Sequence, residues 1–308
     1  MRQIEKTFLW YQNTLLPVLE REFPLELPKI AIGVAGRGSE CFGFDDELSA
    51  DHDVDPGVSL WLTDEDERSF GFRLEKVYRN VLKTSFPDRD SAGSKLGDSE
   101  RKVDTVSSFF MRHLGIPGVP QTLEQWLYIP AHAFAETING RVFRDDSGVF
   151  SRIRAEIASG MPEDVRKKKI AARAVLMAQS GQYNFLRCAR RGEHGAAAMA
   201  LGEFVKNAIP LIFLLNRQFE PYYKWQFRAL RQLPVLSEMA DPLEFLLTCE
   251  STPQNKAEMV DEIAGCIVRE LNKQNLSARS EVYLEGHAFE IMRSIRSAKL
   301  RSMHIMEG

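Results

Sequence analysis

Two short stretches of this chain combine residue types that hold phosphate and metal. Gly36-Arg37-Gly38-Ser39 is a tight-turn sequence whose glycines let backbone come close to a ligand. After eleven intervening residues comes Asp51-His52-Asp53. On a strand, side chains alternate, so Asp51 and Asp53 share one face and His52 packs behind them. Two carboxylates opposite a Gly-Ser turn suit a metal-triphosphate site. The turn's N–H groups and the Ser39 hydroxyl take phosphate oxygens. The carboxylates take a hard divalent cation, Mg2+ or Mn2+. Asp55 has the same parity and is either a further ligand or part of the turn at Pro56-Gly57.

The second stretch is Asn216 to Trp225, in which Pro221-Tyr222-Tyr223-Lys224-Trp225 sets two tyrosines, a lysine and a tryptophan at a helix start. Aromatics beside a cation can stack a base or grip a phosphate. By residue type alone, a core anchor with Lys224 snorkelling to water is the simpler reading. Two weaker groups lie nearby. Arg187, in Gln182-Tyr183-Asn184-Phe185-Leu186-Arg187, can contact phosphate, and Asn184 a base. Glu203 can act as a general base, although a solvated glutamate explains it as well.

The elements that must position these residues follow from periodicity. Residues 4–22 form a helix, with Phe8, Leu9, Leu15, Leu16 and Leu19 at helical spacing. The apolar runs 30–35 and 58–62 are strands that bracket the first motif. Residues 64–83 form a helix with an acidic first turn. Residues 85–100 are a polar loop, and 102–106 a short strand. Beyond Ser107 the pattern becomes helical: 107–114, 123–128 and 131–138, with a turn at Asn139-Gly140 and a brief strand at 141–143. Gly148 halts any helix, and Pro162 takes the first position of a helix running to about Arg190. Further helices cover 197–219 through Pro210, 222–231, 242–249, 256–272 and 282–302. This predicts an α+β protein, with a small mixed-sheet domain at 1–116 followed by an α-helical bundle domain at 117–308.

Composition narrows the function classes. Hydrophobic residues make up 44% and charged residues 27% of the 308, an ordinary globular profile. A net charge of -3 provides no global field for nucleic acid. The basic clusters Arg166-Lys167-Lys168-Lys169, Arg187–Arg191 and Arg293–Arg301 are expected on solvated helix faces. Cys41, Cys188, Cys249 and Cys266 form no metal-binding pair and are expected as buried thiols in a reducing cytosol. The amphipathic N-terminus is no signal peptide. The longest apolar run, 208–215, is too short for a membrane span.

The set Gly38, Ser39, Asp51 and Asp53 resembles the nucleotidyltransferase superfamily typified by DNA polymerase beta, which carries a Gly-Ser turn, a spacer of this length and Asp-x-Asp. The resemblance implies a third carboxylate on a later strand, for which Asp104 is the candidate. It also implies a lysine of the helical domain reaching the triphosphate across an interdomain cleft, as in antibiotic nucleotidyltransferases. Here that residue is Lys224, with Tyr223 beside it and Arg187 as a further nucleotide contact. A bacterial branch of the superfamily is similar from about 30 to 233, through Gly38-Ser39-Glu40, Asp51-His52-Asp53 and Pro221-Tyr222-Tyr223-Lys224-Trp225. This chain departs from it at Val54-Asp55-Pro56-Gly57, where that branch has Trp-Gly. The implied activity is Mg-dependent transfer of a nucleoside monophosphate from an NTP, ATP first, to an acceptor hydroxyl or phosphate. A small molecule or a protein is the first-choice acceptor, and tRNA stays open. The alternative is a non-catalytic nucleotide-binding or antitoxin-like partner protein.

Overall fold

The computed structural model describes residues 2–46, 57–87 and 101–308. In chain order the described elements are α1 (3–22), β1 (Ala31–Val34), α2 (Ser39–Phe42), β2 (Ser59–Leu62), α3 (64–85), β3 (Val103–Thr105), α4 (Val106–Leu114), α5 (Leu123–Tyr128), α6 (Ala131–Ile138), β4 (Arg141–Arg144), α7 (Val149–Ser159), α8 (163–190), α9 (His194–Leu215), α10 (Tyr223–Leu230), α11 (Ala240–Thr248), α12 (Pro253–Lys273), α13 (Leu284–Arg293) and α14 (Ala298–Ser302). They divide into two compact units. One holds Met1–Gln121 and Ala133–Gly160, the other Thr122–His132 and Met161–Gly308. A single cut after residue 116 therefore does not separate them: the chain leaves the first unit, then returns to add β4 and α7.

The first unit is built on a mixed four-stranded sheet in the order β3-β2-β1-β4. Strand β1 runs antiparallel to β2 and β4, and β2 runs parallel to β3. Ile32, Val34, Leu60 and Leu62 face a core with Tyr11, Leu15 and Leu19 of α1 and Leu74, Tyr78 and Leu82 of α3. Each helical set steps by four residues, which keeps its apolar side on the sheet. Leu9 is exposed, because it sits about 100° round the helix from Phe8. Helix α3 starts with Thr63, whose hydroxyl accepts from the Asp66 N–H. The Tyr78 hydroxyl donates to the Val58 carbonyl and accepts from its N–H, anchoring the entry to β2. On the other sheet face, Trp61 stacks on Phe150 with ring centroids 3.9 Å apart. Phe150 belongs to α7, a helix that the sequence reading passed over, although Phe150, Ile153 and Ile157 have helical spacing.

The second unit is helical. Its centre is α9, almost wholly buried from Phe204 to Leu215, running through Pro210 and packed against α8. By length and composition His194–Leu215 is long and apolar enough to cross a membrane, and most of it is buried inside this unit. Pro162 is the cap before α8 rather than its first residue. The basic run in α8 is not a solvated face. Arg166, Lys168 and Lys169 are all buried. Arg166 donates to Glu163 at 2.7 Å and to the Leu214 carbonyl at 3.2 Å. The Lys168 ammonium donates to the carbonyls of His304, Ile305 and Glu307. Apart from the local Glu163, the acceptors that explain these two are carbonyls placed by tertiary structure, which no local pattern reveals. The cysteines are free, but only Cys41 is buried and Cys249 is exposed.

Candidate phosphate-binding turn

The glycine turn leaves the C-terminal end of β1 and opens into α2, with Gly38 as its cap and Ser39 as its first residue. Three sets of contacts hold it. The Asn139 side chain brackets Gly36, accepting from its N–H at 3.0 Å and donating to its carbonyl at 2.7 Å. The Gly140 N–H donates to the Cys41 carbonyl at 2.7 Å. The segment 137–139 is itself pinned by Arg154, which donates to the carbonyls of Thr137, Ile138 and Asn139. Burial holds the Arg154 guanidinium down to about 10.

Under the turn lies a buried ion pair between Arg101 and Glu40. Arg101 also donates to the Ala35 carbonyl at 3.1 Å and the Cys41 thiol at 3.4 Å. Burial alone would lower its pKa, but Cys41 and Glu40 beside it hold it above the ordinary value. The Glu40 carboxylate fills the space beside Gly38, where an added Cβ would come within 2.2 Å of Oε2. A larger residue there would have to displace the Glu40 carboxylate. On the flank, the Arg37 guanidinium lies 3.6 Å from Glu136, which also bonds the His113 ring at 3.0 Å. Ser39 is 2% exposed, and its hydroxyl has no hydrogen-bond partner among the described residues.

Gly33 pairs with Ser59 and Ala31 with Trp61, so the turn after β1 lies at the sheet end where the chain enters β2. The expected metal ligands Asp51 and Asp53, and Asp55, precede that entry and lie outside the described residues. Among the described residues no group of three or more His, Cys, Asp or Glu could hold a metal ion.

Asp104 is not gathered at the turn. It pairs with Trp61 on β3, two strands from β1 and about 7 Å along the sheet from the Gly33–Ser59 level, at roughly 3.3 Å per residue. Its carboxylate accepts from Arg112 at 2.7 Å and from the Thr105 N–H at 2.9 Å. Its place relative to Asp51 and Asp53 lies outside the described residues. The residue preceding β3 that reaches the turn is Arg101, a cation, and it enters at the near end of the strand.

The remaining expected residues belong to the second unit. Tyr223 and Lys224 begin α10 and are exposed, Tyr223 by 70%. The core-anchor reading of this stretch therefore fails for both tyrosines, while Lys224 reaches water as that reading has it. Tyr222 packs on Tyr223 at 4.5 Å and edge-on to His132 at 5.6 Å. The ammonium of Lys224 lies 5.2 Å from the Trp225 ring centre. Arg187 is exposed and lies over the Tyr183 ring at 4.6 Å. Glu203 pairs with Lys206 on the surface, as a solvated glutamate would. The sequence reading missed Asn139, Arg101 and Glu40. The signal for the last was a glutamate directly after a Gly-Ser turn and next to Cys41-Phe42, a charge in an apolar setting.

Residues 126–226 match a family model described as Domain of unknown function (DUF4037). The match covers about a third of the chain. It includes the Asn139-Gly140 clamp, the buried basic run of α8 and the Tyr223-Lys224 element. No curated protein and no solved structure matches the chain.

Proposed function

We propose that this chain is a nucleotidyltransferase, moving a nucleoside monophosphate from an NTP to an acceptor and releasing pyrophosphate. The observation that carries the reading is the Ser39 hydroxyl: buried, without a hydrogen-bond partner among the described residues, and set in a turn that Asn139, Gly140 and Arg101 hold through hydrogen bonds. A buried hydroxyl without a partner is unfavourable in a protein that binds nothing there. A phosphate oxygen supplies the missing acceptor, and the glycine backbone lets it approach. In this reading the first unit is the nucleotidyltransferase domain and the second its helical bundle domain. Asp51 and Asp53 would hold Mg2+, and Lys224 would contact the triphosphate. The metal would neutralise phosphate charge and stabilise the pyrophosphate leaving group. The acceptor oxygen bonds to the α-phosphorus as the bond to pyrophosphate breaks in line. The first-choice acceptor is a small molecule or a protein in the cytosol.

The test uses each α-labelled NTP with Mg2+ and fractionated cell extract. Label should appear on an acceptor, and Asp51→Asn and Asp53→Asn should abolish the transfer. Ser39→Ala should raise the NTP concentration for half-maximal rate at least about tenfold, the equivalent of one charge-assisted hydrogen bond. It should leave the melting temperature unchanged or higher, since the lost hydroxyl had no partner among the described residues. NTP binding with no transfer to any fraction would support the binding-protein alternative instead.

A further inference from the structure

The second unit contains a cavity of about 350 Å³, within the size range of small-molecule sites. Leu127, Met161, Leu214 and Phe219 give it an apolar wall, and Lys169, Arg173, Glu220 and His132 place polar groups on it. Lys169 and Arg173 stand four residues apart on α8, so both project from one face.

Lys169 is the unusual member. It is 8% exposed. Unlike Arg166 and Lys168 in the same run, it has no hydrogen bond or ion pair among the described residues. Arg173 gives Nη1 to Asn207 at 3.0 Å, which leaves other N–H groups of its fork unused. Glu220 forms no ion pair with either cation within 4.0 Å among the described residues. Burial pushes its carboxyl up, with Lys169 and Arg173 opposing. Burial also pulls the Lys169 ammonium down to about 8, Glu220 opposing and Arg173 reinforcing. An ammonium largely shielded from water, with no hydrogen bond or ion pair among the described residues, is costly, and such groups are normally paired. A cation kept in this state and facing a cavity has a partner still to come.

We propose that this cavity binds a small organic anion, a carboxylate or phosphate monoester on an apolar body, through Lys169 and Arg173. The ammonium supplies a point charge, and the guanidinium supplies a fork that fits either oxyanion. Phe219 and the aliphatic wall take the body. The site stands on the geometry of the second unit alone and does not depend on nucleotidyl transfer.

Calorimetric titration of the full chain with phenyl phosphate, benzoate, inorganic phosphate and benzyl alcohol tests this. Phenyl phosphate or benzoate should bind with one site per chain, more tightly than inorganic phosphate and benzyl alcohol. Lys169→Gln should weaken that binding at least about tenfold, and Lys169→Arg should largely restore it. A second measurement needs no variant. Pyridoxal 5'-phosphate with borohydride should label Lys169 ahead of the more accessible Lys167 and Lys206, and excess phenyl phosphate should protect it. Binding of the organic anions no tighter than benzyl alcohol or inorganic phosphate would overturn the proposal. So would unchanged affinity in a folded Lys169→Gln protein, or labelling that spares Lys169 or is not protected.

Discussion

Removing Arg101 should unfold the glycine turn's foundation more than any surface change in the first unit. In Arg101→Met, Glu40 keeps its buried position but loses its counter-charge, and Oε2 has no partner among the described residues even in the parent. The Ala35 carbonyl, the residue just before the turn, loses its donor as well. Breaking a buried ion pair from one side typically costs about 3–5 kcal/mol, because the remaining charge is uncompensated. At a urea slope of about 3 kcal/mol per M, the unfolding midpoint should fall by on the order of 1 M or more. Tryptophan fluorescence reports on this unit through Trp61, buried against Phe150. Glu40→Met alone should be comparably damaging, for it strands the guanidinium. The double variant Glu40→Met/Arg101→Met removes both charges, and its loss should fall short of the sum of the singles by at least about 2 kcal/mol. Additive losses, or a single variant within about 1 kcal/mol of the parent, would refute the argument that the pair is buried and mutually dependent.

Gly140→Ala should destabilise the protein by more than about 2 kcal/mol, measured by the same urea titration. Gly140 has a positive φ of 69°, and an added Cβ would meet the Val34 carbonyl oxygen at 1.9 Å, so left-handed strain and a backbone clash act together. Lys169→Met should stabilise the ligand-free protein near neutral pH. Folding takes this ammonium from its ordinary 10.5 to about 8, a penalty of about 3 kcal/mol at 1.36 kcal/mol per pH unit. Because the folded pKa is the lower one, the unfolded chain holds more protons between about pH 8 and 10.5. The parent should therefore gain stability as pH rises through that window, and the advantage of Lys169→Met should shrink with it. A pH-independent difference would show that burial of charge is not its origin.

Local patterns were legible where one element decided its own fate. The apolar runs around the first motif became β1 and β2, and α5 and α6 took the expected bounds. Elements fixed by partners were less legible. A short run such as β3 does not say which neighbour it will pair with or in what direction, and its parallel register with β2 moves Asp104 away from the turn. Lys168 and Lys169 read as solvent-facing because hydrophilic residues usually are. Their burial depends on carbonyls more than 130 residues away for one and on a cavity for the other. Asn139 looked like half of a turn, and its second task, bracketing Gly36, joins segments 103 residues apart.

The return of the chain to the first unit has a consequence for its synthesis. When residue 121 leaves the ribosome, β1 can pair on the β2 side only, because the strand that covers its other edge, β4, is not yet made. At about 5–20 residues per second, that edge stays bare for seconds while helix α5 and its flanks emerge. An unpaired strand edge is a template for pairing with other chains. Nascent protein is thus most exposed to aggregation before Arg141–Arg144 arrives, and a fragment ending near residue 121 would retain that exposure permanently.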